Sequence, residues 1–181
     1  MFSEAMLEMR YKPFRTFKIT ANLILSVSLL GTLAFLAGFD KPKPKKIGDH
    51  PPEFFLSDLN GTLRSLYQFK GKVVVLYFWA DWCCRERTLL TDNQFYQKYK
   101  EKGLVILAIN SGQPKKVVER FVRERNVPYD VLLDLRFTAT KQYGVVSLPM
   151  IFILDRNGIV RNRTLGQVEI GYLKKAVLNL L

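Results

Sequence analysis

Seven consecutive apolar residues, VVVLYFW at 73 to 79, constrain this chain more than any other stretch. The run is short and rich in β-branched and aromatic side chains, and Lys70, Gly71 and Lys72 precede it, so it reads as a strand buried on both faces. Such a strand belongs inside a sheet with helices packed above and below. A second run of the same kind, LVILAIN at 104–110, and a third, MIFILD at 150–155, are separated from it by segments long enough to hold helices.

The segments between these runs carry helical and turn signals. PEFFLSDLNGTLRSL holds two short apolar stretches around Asn60-Gly61, a pair suited to positive φ, and predicts a hairpin. The stretch from Arg85 to Lys102 is loosely helical through Leu89, Leu90, Phe95, Tyr96 and Tyr99, and Gly103 caps it. A helix is predicted over Ser111 to Asn126, with Pro114 in its first turn and Val117, Val118, Phe121 and Val122 on one face. VLLDL (131–135) is a short apolar piece, Thr138 to Tyr143 a short helix, and Glu169 to Leu181 a closing helix after IVRNRTL. Strands and helices alternating in this order predict one α/β domain with a mixed central sheet and helices on both faces, over 53–181.

Ahead of the domain lies TANLILSVSLLGTLAFLAGF, residues 20–39, without a charged residue. Twenty helical residues span about 30 Å, the thickness of a bilayer core, so one N-terminal transmembrane helix is expected. A cleaved signal would have a shorter apolar core and a small-x-small cleavage site, and neither is evident. The short N-terminus, 1–19, is basic, and residues 40–52 form a Lys/Pro-rich linker whose alternating prolines favour an extended spacer. Charge does not orient the helix, because Arg10, Lys12, Arg15 and Lys18 on one side match Lys41, Lys43, Lys45 and Lys46 on the other. The 181-residue chain carries a net charge of +12. That excess is expected to face anionic lipid headgroups and not nucleic acid, since no basic run is interleaved with base-stacking aromatics.

Two phrases carry a family likeness: DLNGTLRSLYQFKGKVVVLYFWADWC over Asp58 to Cys83, and YGVVSLPMIFILDRNGI over Tyr143 to Ile159. In these the chain resembles the membrane-anchored, extracytoplasmic thioredoxin-like proteins of the TlpA/ResA type, some of which serve cytochrome c maturation. The resemblance implies a three-layer thioredoxin-like sandwich. It also implies a cis bond before Pro149, with Leu148 offering backbone groups to an incoming peptide and Trp82 forming a lip of the groove. By the same likeness Cys83 takes the attacking position, and the domain lies on the periplasmic side of a cytoplasmic membrane, crossed once.

The chain departs from that family at its centre. A dithiol oxidoreductase needs a second sulfur one helical turn after the first, to resolve the mixed disulfide, and CxxC supplies it. Both cysteines of this chain are adjacent in WADWCCRE, residues 79–86, and the third residue after Cys83 is Glu86. Counted back from Tyr99 and Gly103 the second position falls on Arg85, so neither register restores CxxC. A bridge between Cys83 and Cys84 would close an eight-membered ring around a planar peptide bond, which strains it. Cys84 is therefore a doubtful partner, and Cys83 remains a lone candidate nucleophile with Arg85 and Arg87 favouring its thiolate and Asp81 and Glu86 opposing it.

Other thiol chemistries fail on spacing. A peroxidatic centre wants Thr three residues before its cysteine and Pro seven before, whereas Ala80 and Leu76 precede Cys83. The one histidine, His50, lies in the linker, and with two cysteines it makes no zinc or copper site. No metal and no cofactor are expected. Two functions stay open: a redox-silent docking or structural subunit that meets a protein client or a membrane complex, and an attenuated monothiol exchanger acting through Cys83.

Overall fold

A computed structural model describes residues 44–83 and 92–181. Residues 42–181 form one compact unit. The expected transmembrane helix over 20–39, Cys84, and residues 85–91 lie outside the described residues. Among the described residues no helix is long and apolar enough to cross a membrane.

Seven strands make one sheet: β1 (Phe55–Asp58), β2 (Leu63–Ser65), β3 (Val73–Trp79), β4 (Leu104–Ser111), β5 (Asp130–Asp134), β6 (Met150–Leu154) and β7 (Val160–Leu165). Their spatial order is β2-β1-β5-β4-β3-β6-β7. β3, β4 and β5 are parallel, whereas β1 and β6 run antiparallel to the strands they join, so the sheet is mixed. The apolar run that opened the sequence reading is β3, buried at every position and flanked by β4 and β6. The helices are α1 (Asn93–Tyr99), α2 (Lys115–Arg125), α3 (Thr138–Gln142) and α4 (Ile170–Leu178).

Side chains alternate along β3 because a strand has period two. Val73, Val75, Tyr77 and Trp79 face one layer with Phe95 of α1, Val118 and Phe121 of α2, and Leu173 and Val177 of α4. Val74, Leu76 and Phe78 face the other with Phe54, Ala139 of α3, Tyr143 and Phe152. Both faces are covered, which is why β3 contains no polar residue.

The two hairpin turns share one construction. Asp58 accepts the backbone N–H of Asn60 and of Thr62 at 2.9 Å, and its other oxygen accepts Arg64 Nε at 3.2 Å. Asp155 accepts the N–H of Asn157 and Ile159 at 2.9 and 3.0 Å, and Arg161 Nε at 2.7 Å. Both turns read Asp-x-Asn-Gly-x-x-Arg, with Gly61 and Gly158 at φ of 84° and 76°. Glycine takes that conformation without a Cβ penalty.

One expectation is corrected in its bounds. The helix predicted from Ser111 begins at Lys115: Ser111 is still in β4, paired with Asp134, and Pro114 is extended at ψ 142°. The left-handed Asn126 ends it, at φ 50°. The later half of the linker is bonded to the domain. Lys45 N–H donates to Tyr143 O at 3.3 Å, Gly48 N–H to Val160 O at 2.9 Å, and Tyr143 Oη to Pro52 O at 2.8 Å. Proline stiffness in the sequence said nothing about which backbone groups would find partners on the domain.

Candidate functional site

The parallel strands β3, β4 and β5 end at one edge of the sheet, and the chain's chemistry-bearing residues collect there. After β3 a single 3-10 turn, Asp81–Cys83, carries Trp82 outward, 61% exposed, and Cys83 inward, 9% exposed. Cys83 Sγ donates to Ala80 O at 3.1 Å and accepts the Ala80 N–H at 3.3 Å. The sulfur therefore folds back on the end of its own strand, within the layer that holds Trp79 and Phe95. A thiol must leave that carbonyl and turn outward before it can attack.

A partly buried polar cluster fixes this turn. Asp81 N–H donates to Gln113 Oε1 at 2.8 Å, and Gln113 Nε2 donates back to Asp81 Oδ1 at 2.6 Å. Gln113 Oε1 also accepts Asn110 Nδ2 at 2.8 Å, while Asn110 Oδ1 accepts the Gln113 N–H at 3.2 Å. Asn110 is the last residue of β4 in register with β3, opposite Trp79, and is buried. One amide thus ties the thiol-bearing turn to the neighbouring strand. Sequence reasoning weighed Asp81 only as a charge and passed over Asn110 and Gln113, although a polar residue closing an otherwise apolar strand was the available signal.

A buried carboxylate sits one strand further along. Asp134, at the end of β5, accepts Thr138 N–H at 2.7 Å, Thr140 N–H at 2.8 Å and Thr140 Oγ1 at 2.7 Å. Thr140 Oγ1 lies 3.0 Å from Ser111 Oγ. Every bond here starts α3 or joins it to β4, so the cluster is structural.

On the opposite side of the turn lies the loop into β6. The Leu148–Pro149 peptide bond is cis. Leu148 is partly buried and packs against both core layers, Val146 is 74% exposed, and Pro149 O accepts Gly166 N–H at 2.8 Å. Gln167 Nε2 reaches the Cys83 carbonyl at 3.4 Å, so the loop after β7 also touches the turn. The structure brings Trp82, Cys83, Leu148 and Pro149 to this edge. Cys84, Arg85, Glu86 and Arg87 lie outside the described residues.

His50 is far from this edge. It lines a cavity of about 310 Å³ with Lys70, Lys72 and Arg156, beside the turn between β6 and β7. Among the described residues no three His, Cys, Asp or Glu side chains are placed to hold a metal ion.

Residues 47–163 match the AhpC/TSA family. Among curated proteins, the chain is similar to the thiol-disulfide oxidoreductase ResA of Bacillus cereus, 36% identical over 88% of this chain and 94% of that protein. The ResA of Bacillus subtilis is 33% identical over 82% of this chain and 84% of its own length. Among solved structures, a Chlorobium tepidum protein provisionally assigned as the thiol:disulfide interchange protein DsbE is 31% identical. It covers 75% of this chain and 97% of its own, with a TM-score of 0.68. The fold is thioredoxin-like, and the peroxidatic Thr and Pro remain absent ahead of Cys83. The chain belongs to the AhpC/TSA family, among the relatives of the ResA thiol-disulfide oxidoreductases.

Proposed function

We propose that this protein is a membrane-tethered, extracytoplasmic docking module built on the ResA-type fold. Its Trp82, Cys83, Leu148 and Pro149 edge engages a protein client or a subunit of a membrane complex, and no dithiol cycle is completed within the chain. The observation that carries this reading is the inward Cys83 sulfur on Ala80 O at 3.1 Å, in a chain whose third residue after Cys83 is a glutamate. A thiol without a resolving partner traps a client instead of releasing it. The tether rests on the uncharged run over 20–39 and on an alignment with ResA that extends over more of the chain than the folded domain alone supplies.

A second reading is monothiol exchange, favoured by relatives named as thiol-disulfide oxidoreductases. In it the Cys83 thiolate attacks one sulfur of a client disulfide, and the other client sulfur leaves as a thiolate with the bond's electron pair. A dithiol from outside the chain, dithiothreitol in the assay, then resolves the mixed disulfide: its first thiolate attacks Cys83 Sγ and releases the client as a thiolate, and its second attacks the first, closing a cyclic disulfide and releasing Cys83 as a thiolate. The two readings separate in an insulin reduction assay driven by dithiothreitol. The docking module gives the same background rate for the full chain, Cys83→Ser and Cys84→Ser. Turnover kept in Cys84→Ser and lost in Cys83→Ser would establish the exchanger.

A further inference from the structure

The end of the sheet opposite the thiol edge gathers basic side chains from three loops. β3 starts at Val73, just after Lys70 and Lys72, and β4 starts beside it at Leu104, just after Lys100 and Lys102. β6 runs the other way and ends at Leu154, opposite Val74, just before Arg156. Arg156 knots the three loops together. Its Nη1 donates to Gly71 O at 3.1 Å, and its Nη2 to Lys102 O at 3.1 Å and Leu181 O at 2.6 Å, while Gly71 N–H donates to Arg156 O at 3.1 Å.

Arg156 spends its charge inside that knot, but the lysines around it do not. Lys70, Lys72, Lys100 and Lys102 are exposed, and among the described residues none of them is in an ion pair. Most acidic groups at this end are engaged: Asp155 with Arg161, Glu53 with the N–H groups of Leu66 and Tyr67, and Asp49 with Lys46 N–H. Exposed Glu101 opposes the lysines on either side of it. The balance is positive, and Lys45 and Lys46 of the linker add to it.

The linker meets the domain at this same end. Gly48 N–H donates to Val160 O at 2.9 Å and Val160 N–H to Asp49 O at 3.0 Å, and His50 lines one cavity with Lys70, Lys72 and Arg156. Lys45, where bonding to the domain begins, lies six residues beyond Phe39, the end of the uncharged run. Extended chain of that length reaches about 22 Å at most. In the tethered reading, a lipid surface therefore lies within reach of a basic face, and positive charge is drawn to anionic headgroups.

We propose that Lys70, Lys72, Lys100 and Lys102, gathered by Arg156, dock this end of the domain on an anionic phospholipid surface and so turn the Trp82 and Cys83 edge away from the bilayer. The seven residues of β3, at about 3.3 Å each, hold the two ends of the sheet about 20 Å apart. That exceeds twice the screening length of about 8 Å at physiological salt, so lipid charge acts on the lysines and not on the thiol edge. Each basic residue at such a surface contributes about fivefold to binding. The proposal goes beyond the client-docking edge and rests on the membrane tether.

The test uses the full chain reconstituted into vesicles of phosphatidylcholine, alone or with about 30% phosphatidylglycerol, and trace acetylation of lysines by a membrane-impermeant ester, read residue by residue by mass spectrometry. Lys70, Lys72, Lys100 and Lys102 are expected to react at least about threefold more slowly on the anionic vesicles, with Lys115 and Lys141 unchanged, and about 0.5 M salt abolishes the difference. The double variant Lys72→Gln, Lys102→Gln loses the slowing at Lys70 and Lys100, and Lys72→Arg, Lys102→Arg keeps it. Equal rates on the two vesicles, uniform slowing of every lysine, or slowing confined to Lys115 or Lys141 would overturn the proposal. Extraction of the chain by alkaline carbonate would sink the tether instead. The extracted chain is then floated with each vesicle: flotation with the anionic vesicles alone, lost in the Gln double variant, keeps the lipid-docking face, and flotation with neither sinks it too.

Discussion

Cys83 is held by two bonds to the backbone of Ala80, at 3.1 and 3.3 Å, and by the apolar layer around it. Reaction requires the sulfur to leave both. In a Cys84→Ser background, the native chain is expected to react with Ellman's reagent at least about tenfold more slowly than the same chain in urea, because burial restricts access to the sulfur. Equal rates would show that the inward sulfur is no barrier. Gln113 acts on the same thiol at one remove. Gln113→Ala removes three side-chain bonds and strips the buried Asn110 amide of a partner, a loss of about 1–3 kcal/mol that a urea midpoint reads. It also frees the Asp81–Cys83 turn, so the Ellman rate of the native variant is expected to rise. The end of β3 just before Cys83 was legible in the sequence because the apolar run stops at Trp79, ahead of Ala80 and Asp81. Gln113 was not, since its role depends on a contact between positions 32 apart.

The hairpin turns show how much a short element can encode. Asn60-Gly61 announced the first hairpin, but the carboxylate that locks it became visible only when Asp58 was seen to accept two N–H groups and Arg64 together. Burial alone would raise the Asp58 carboxyl, and the N–H groups of Thr62 and Asn60 with the Arg64 guanidinium outweigh it, leaving its pKa below the ordinary 3.8. Asp155 is lowered likewise: burial opposes, while Ile159 N–H, Arg161 and Asn157 N–H prevail. A carboxyl whose folded pKa is depressed contributes stability above its unfolded pKa, and that stability is lost as pH falls through the lower folded value. Stability is therefore expected to drop as pH is lowered below about 4. Asp58→Asn and Asp155→Asn should each lower stability at pH 7 by about 1–2 kcal/mol and flatten this acid dependence, as followed by urea midpoints from pH 7 to 3. An unchanged acid slope in both variants would mean that other carboxylates set it.

At the scale of the whole molecule, the alternation of apolar runs and helical segments was enough for the mixed sheet. A run apolar at every position demands cover on both sides, and β3 has it. The bonds of the linker's later half to the domain were not legible in the sequence because that attachment is tertiary. Tyr143 sits in the core against Phe78 and Phe152, and its hydroxyl reaches out to Pro52 O. Tyr143→Phe leaves that carbonyl without its donor and loosens residues 45–52. It should cost about 1 kcal/mol and speed tryptic cleavage at Lys45 and Lys46, with cleavage inside the domain unchanged. The edge of the sheet where β3 ends and β6 begins brings Trp82, Cys83, Leu148 and Pro149 together, and in the proposed function this edge is the docking face. Where a CxxC would carry its second cysteine, the sequence has Glu86.

That absence is the central claim, and a redox titration with thiol counting tests it most directly. The full chain is equilibrated across dithiothreitol redox buffers, quenched with iodoacetamide and weighed by mass spectrometry. The expected result is two alkylated cysteines, Cys83 and Cys84, at every poise. Joint loss of both thiols in one reversible two-electron transition would reveal an internal bridge that cycles, and would contradict the docking account.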